Sequence, residues 1–124
     1  MKVCLDQQID RRKILKKAVI KAADILGLTD DEFLKILKIK RSTIVQLKND
    51  NFLESNLLDE ELAILFVSIF YLLHELSGGD VDWIRHFMRS YNKLIGTSPL
   101  KQIQNLDGLV KLYKLLGTLS TNTL

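Results

Sequence analysis

The sequence is poor in residues that staple, punctuate or catalyse. Cys4 is its only cysteine, which excludes an internal disulfide and fits a reducing compartment. One proline and six glycines leave no low-complexity linker, and no internal repeat is visible. His74 and His86 stand without an H-E-x-x-H pattern, and neither has the further donors that a zinc site requires. An acidic pair, Asp80 and Asp82, lacks the closing glutamate of a calcium loop. Glycine-rich phosphate loops, nucleophile elbows and paired carboxylates are all missing, so we expect no catalytic residues, no metal, no cofactor and no enzymatic function. Long apolar runs are missing too. The longest, residues 62–73 (LAILFVSIFYLL), is interrupted only by Ser68 and falls short of the roughly twenty residues a bilayer span needs. Arg11, Arg12 and Lys13 are not followed by a long apolar region, so neither a signal peptide nor membrane association is expected, and a cytoplasmic protein is.

What is present is the composition of a folded domain, 47% apolar and 27% charged, long enough for one compact unit or for two small modules that share a core. The net charge of +3 is unevenly spread: residues 1–50 carry a net +5 and residues 51–124 a net −2. A basic first part beside a mildly acidic second assigns any nucleic-acid contact to the first, although a merely solvated basic helix face is commoner than a binding surface. The apolar run is the centre of the reading. Apolar on every side, it reads as a helix over residues 57–76 enclosed by others. Asn56 is its candidate cap, Asp59, Glu60 and Glu61 suit its positive end, and Gly78-Gly79 ends it.

Before that helix, apolar residues recur at helical spacing over residues 7–26. Ile14, Ala18, Ala22 and Ile25 form one row, and Leu15, Val19, Ala23 and Leu26 the next. Asp6 or Asp10 is the candidate cap and Gly27 the stop, with Lys13, Lys16, Lys17 and Lys21 facing outward. Thr29-x-x-Glu32 is a capping box that opens a short helix over residues 30–37, with Phe33, Leu34 and Leu37 inward. A third helix is expected over residues 41–48, with Ile44 and Leu47 inward. Two short helices joined tightly after a longer one outline a helix-turn-helix. In that motif the second helix enters the major groove. Here its polar residues are Arg41, Ser42, Thr43 and Gln46, whose side chains can bond guanine, adenine or phosphate, and Lys38, Lys40 and Lys48 lie near the backbone. The competing reading is a helical hairpin whose polar face meets only water.

Residues 50–55 connect to the central helix. Beyond it, Asp80 caps a helix to about residue 90 with Trp83, Ile84, Phe87 and Met88 as its apolar face, and Arg85, His86 and Arg89 near the surface. Residues 91–96 form a loop. Ser98-Pro99 reads as cap and first residue of a new helix, with Leu100 and Ile103 inward. Asn105 caps a last helix over residues 106–116, with Leu109, Val110, Leu112, Tyr113 and Leu116 apolar. Residues 117–124 read as a frayed tail.

The succession AVIKAADILGLTDDEFLKILKIKRSTIVQL, an apolar helix, GGD, and RSYNKLIGTSPLKQIQNLDGLV resembles the Xre/MbcA/ParS antitoxins. The echoes are Gly78-Gly79-Asp80, Arg89-Ser90-x-Asn92, Gly96, Pro99-Leu100-x-x-Ile103-Gln104 and Gly108-Leu109-Val110. The resemblance implies an all-α fold with a DNA-binding helix-turn-helix (residues 1–53) and a C-terminal toxin-binding domain that includes the central helix (residues 54–124). It also implies an antitoxin of a bacterial type II toxin-antitoxin system. The partner would be a RES-domain toxin that consumes NAD, its cleft covered by the antitoxin, and the operator double-stranded DNA would be bound, and the operon repressed, by a homodimer. Carried over by position, Arg41, Ser42, Thr43 and Gln46 face DNA. Arg89, Asn92, Lys93, Ser98, Lys101, Gln104, Ser120, Asn122 and Leu124 face the toxin. Gly96, Pro99 and Gly108 are read as turn and packing positions. The sequence departs from the family at Lys40, in place of a capping residue, at Gln46, in place of a basic one, and at Tyr91, in place of proline. It also has Leu115–Ser120 where a Tyr-Leu-Asp-x-x-Arg ending is frequent. Two other functions fit the same residues: a stand-alone regulator whose second half only dimerises, and an interaction module with a disabled helix-turn-helix.

Overall fold

A computed structural model describes the backbone of residues 2–48 and 59–122 and the side chains of residues 13–47 and 59–120. Among the described residues the fold is all-α, with seven helices: α1 (Lys2–Leu26), α2 (Asp30–Leu37), α3 (Arg41–Lys48), α4 (Glu60–Ser77), α5 (Val81–Arg89), α6 (Pro99–Gln102) and α7 (Leu106–Asn122). α4 packs chiefly on α7 and also on α1 and α5. α2 and α3 pack on each other, and α3 reaches α1. One continuous core runs through both halves, from Val19, Leu26, Ile36 and Leu47 to Phe66, Leu73, Ile84, Met88 and Leu112, all essentially without solvent contact. The two modules are therefore halves of one hydrophobic unit, with α1 shared between them. No single helix among the described residues is long and apolar enough to cross a membrane.

The helix ends follow local chemistry. Thr29 and Glu32 close a reciprocal capping box, Thr29 N donating to Glu32 Oε1 at 2.8 Å and Glu32 N to Thr29 Oγ1 at 3.2 Å. At α4 the cap is Asp59, which accepts from Glu61 N and Leu62 N. The helix thus starts after Asp59 and not at residue 57, because a carboxylate two to three residues before free amides captures them. Asn56, Leu57 and the connection over residues 50–55 lie outside the described residues. Gly78 ends α4 in the left-handed region, φ +65°, a conformation that costs glycine nothing.

Further expectations need correction. α1 begins at Lys2, not residue 7, and Asp6 and Asp10 sit inside it, so neither caps it. α7 continues through Gly117 to Asn122. One helical glycine costs only about 1 kcal/mol, and Leu116 beside it is buried, so the predicted frayed tail is helix as far as residue 122. Lys16 is buried, not outward like the exposed Lys13, Lys17 and Lys21; a long aliphatic stem can cover apolar surface. α4 is not enclosed on every side, since Ile64 is 48% and Tyr71 62% exposed. The α1 row headed by Ile14 is likewise left partly open, Ile14 being 67% exposed while the Val19–Leu26 row is buried.

Candidate nucleic-acid interface

α2 and α3 meet at a tight corner. Lys38 closes α2 in the left-handed conformation, φ 55° and ψ 48°, with its N–H and that of Ile39 directed to Leu34 O. A non-glycine residue held there stores about 1 kcal/mol of backbone strain. This corner is what swings α3 away from α2. α3 then begins with Thr43 N donating to Lys40 O at 2.9 Å, so the chain's own carbonyl takes up an amide at the end where Lys40 has no acceptor to offer.

Ile44 and Leu47 bury one side of α3. The opposite side carries Arg41, Ser42 and Val45 to solvent, with Thr43 and Gln46 half-buried beside them and Lys38 and Lys40 exposed at the corner. The structure thus gathers six of the seven DNA candidates onto the corner and first turns of one helix; the side chain of Lys48 lies outside the described residues. Two features were missed by the sequence reading. Val45, 71% exposed, stands on the outward face where an apolar group can meet a thymine methyl. The signal was available, because burying Ile44 and Leu47 points residue 45 outward. Arg41 is engaged with Asp31 of α2 in an exposed ion pair, which aims the guanidinium along the corner. Such a pair, open to water, is worth about 0–1 kcal/mol and yields readily to a phosphate or a base.

Behind the corner, two arginines tie the halves together. Arg85 donates from Nε to Ile25 O at 2.9 Å and from Nη2 to Asp24 O at 3.2 Å. Arg89 donates from Nη2 to Gly27 O at 2.7 Å and to Glu32 Oε1 at 2.9 Å, and from Nη1 to Glu32 Oε2 at 3.1 Å. These cations bond carbonyls in the last turn of α1 and just after it, Asp24 O also accepting from Gly27 N at 3.1 Å, and suit the negative dipole end of the helix. Burial pushes the Glu32 carboxyl up, but the hydrogen bonds from Arg89 and from Thr29 N–H, with the charge of Arg89, outweigh it and hold Glu32 below the ordinary range. The bond to Glu32 raises the Arg89 guanidinium further against its own burial. One carboxylate therefore both caps α2 and receives the arginine of α5.

The residues carried over to a toxin face are used in several ways. Arg89 is the clamp just described. Asn92 organises its loop: its N–H donates to Thr97 O, its carbonyl accepts from Ile95 and Gly96, and its side chain accepts from Leu94 N at 2.9 Å. Ser98 caps α6 through Lys101 N at 3.4 Å. Lys93 and Lys101 are exposed and Gln104 is half-buried. Ser120 is half-buried on α7; the side chain of Asn122 and the whole of Leu124 lie outside the described residues. Around these positions the surface is more apolar than the sequence implied. Trp83, 43% exposed, stacks on Phe87 with ring centroids 5.2 Å apart, so only Ile84 and Met88 of the expected α5 face are buried. Tyr91, Leu94 and Tyr113 are also exposed. An apolar residue at helical spacing reads as core in a sequence whichever way its face turns out to point.

Among the described residues, no three His, Cys, Asp or Glu side chains come together as a metal site. Residues 7–52 match the family model of the antitoxin Xre-like helix-turn-helix domain, a span that covers α2, α3 and most of α1. The match likens this region, and not the chain as a whole, to the helix-turn-helix domain of Xre-like antitoxins, a domain of DNA-binding regulators. No curated protein matches the chain.

Proposed function

We propose that the chain is the antitoxin of a bacterial type II toxin-antitoxin pair, a DNA-binding autorepressor that also neutralises a RES-domain, NAD-consuming toxin by covering its cleft. The observation that carries the DNA-binding part is the corner itself. A tight turn presents Arg41, Ser42, Val45 and Gln46 on the outer side of a helix whose inner side is anchored by Ile44 and Leu47, within the span matched by the antitoxin-type domain. In this reading α3 enters the major groove of the operator as one of two copies on paired half-sites. Lys38 and Lys40 meet phosphates.

The toxin-facing part of the proposal rests on the C-terminal half. Trp83, Phe87, Tyr91 and Leu94 offer an apolar surface whose aromatic members are of the types enriched at protein interfaces, with Lys93 and Lys101 as polar contacts. The test is to mix the purified chain with the product of the adjacent reading frame and follow NAD loss. Loss that stops as the chain is added supports neutralisation, and an unchanged rate at saturating chain removes it. A second reading, a stand-alone regulator whose second half only dimerises, is favoured by one observation: Arg89, Asn92 and Ser98 spend their polar groups on bonds within the chain. An adjacent frame with no toxin activity would favour that reading.

A further inference from the structure

The seam between α1 and α4 is an open apolar trough. Two adjoining cavities of about 290 and 260 Å³ line up along it and share Ala18, Val67 and Tyr71. Ile14 and Ile64 stand at one end and Ile25 and His74 at the other, so α1 and α4 run in the same direction beside it. Ile14, Ile64 and Tyr71 are each about half or more exposed, an arrangement more apolar than an outer helix face normally presents. The two rims differ in charge. Lys21 and Glu60 line the trough itself; along α1 exposed Lys13, Lys17 and Lys21 outnumber exposed Asp24, whereas α4 contains Glu60, Glu61 and Glu75, all exposed, and no Lys or Arg.

We infer that a second copy of this chain occupies the trough, packed so that the two-fold axis runs along the seam. Self-pairing of one surface has two simple two-fold solutions. With the axis across the helices, α1 would lie on α1, bringing together two helix faces that each carry three exposed lysines against one exposed aspartate, and the acidic α4 would lie on α4. With the axis along them, α1 of each copy lies on α4 of the other. Because the two helices run the same way, the Ile14 end then meets the Glu60 end. Lys13 and Lys17 of each copy come to the Glu60 and Glu61 rim of the other, while the apolar residues fill the opposing cavities. The surface is thus complementary to itself in charge as well as in polarity, as an isologous interface must be. No residue of α2 or α3 lines the trough, so both copies keep the face of α3 free. This assigns a surface to the dimer of the functional reading, and oligomeric state is measured without DNA or toxin, so either claim can fail alone.

The test is sedimentation of the purified full chain over a concentration series. The wild type is expected to pass from monomer to dimer. Tyr71→Asp should raise the half-dissociation concentration roughly ten- to a hundred-fold, with an unchanged melting temperature at a concentration where both are monomeric. Lys17→Glu and Glu60→Lys should each weaken the dimer about three- to tenfold, and the double reversal should recover most of that loss. A wild type that stays monomeric at every concentration overturns the inference. So does a dimer indifferent to Tyr71→Asp, which would place the contact elsewhere. A double reversal no better than the singles overturns the axis along the seam. A trough filled only when the adjacent frame's product is added assigns it to that partner instead.

Discussion

Replacing Arg89 with alanine should loosen the joint between the helix-turn-helix and the rest of the molecule without emptying the core. The guanidinium makes three hydrogen bonds, two to the Glu32 carboxylate and one to Gly27 O. Buried charge-assisted bonds are worth about 1.5–3 kcal/mol each. Arg89 is nearly half exposed, however, so screening reduces the sum to roughly 1–2 kcal/mol. Glu32 keeps its bond from Thr29 N and so is not orphaned by the substitution. In a chain of this length, that loss lowers the melting temperature by about 3–10 °C. Glu32→Gln tests the other side, and a double-mutant cycle should return a coupling of about 0.5–1.5 kcal/mol. The pH dependence has a fixed sign. Glu32 is held below its ordinary range in the folded chain, so its contribution is fully present above the unfolded glutamate pKa of about 4.3. It is lost as pH falls through the lower folded value. The gap between wild type and Arg89→Ala, read by thermal melts followed by circular dichroism, should therefore be widest near neutrality and close in acid. Equal melting temperatures at pH 7, or a gap that widens in acid, would refute the clamp.

Other substitutions probe other parts of the account. α6 packs on the start of α7, and Gly108→Ala puts a Cβ 1.6 Å from Gln102 O; since backbone must move, a loss of at least about 1–3 kcal/mol is expected, and an unchanged melt would refute that close approach. Lys38→Gly relieves the left-handed corner, so the melt should stay level or rise by up to about 1 kcal/mol of stability. In the DNA-binding reading it should also lower the salt slope of operator binding by about one unit, whereas Lys38→Val at the same position should destabilise. Arg41→Ala should leave the melt nearly unchanged, because its partner Asp31 is exposed, yet weaken operator binding by about 1–3 kcal/mol if the guanidinium reads a base.

The elements whose ends are set by neighbouring residues were the legible ones. The Thr29–Glu32 capping box, the Ser98-Pro99 start and the Asp80 and Asn105 caps each depend on contacts three residues long, and the sequence states them directly. The inner faces of α2 and α3 were nearly complete: Phe33, Leu37, Ile44 and Leu47 are buried as expected, and Ile36, fully buried, was the omission. Which apolar row stays uncovered depends instead on distant packing. Nothing in periodicity separates Val19 from Ile14, or Met88 from Trp83. The clamp was hidden for the same reason. Arg85 and Arg89 looked like surface cations, and their partners lie about sixty residues away at the end of α1. Within the candidate DNA-binding face, charge and hydrogen-bonding capacity drew attention to Arg41, Ser42 and Gln46, but a search for polar chemistry passes over Val45.

The claim on which most depends is that the outer face of α3 lies in a DNA groove. The direct measurement is the affinity of the full chain for the DNA upstream of its own reading frame between about 50 and 200 mM salt, for the wild type and for Val45→Glu. If six to ten phosphates are contacted, affinity should fall by roughly 10³–10⁵ across that range. Val45→Glu, at an exposed position, should abolish binding while leaving the melt unchanged. A flat salt response, or a Val45→Glu variant that binds like the wild type, would contradict the account.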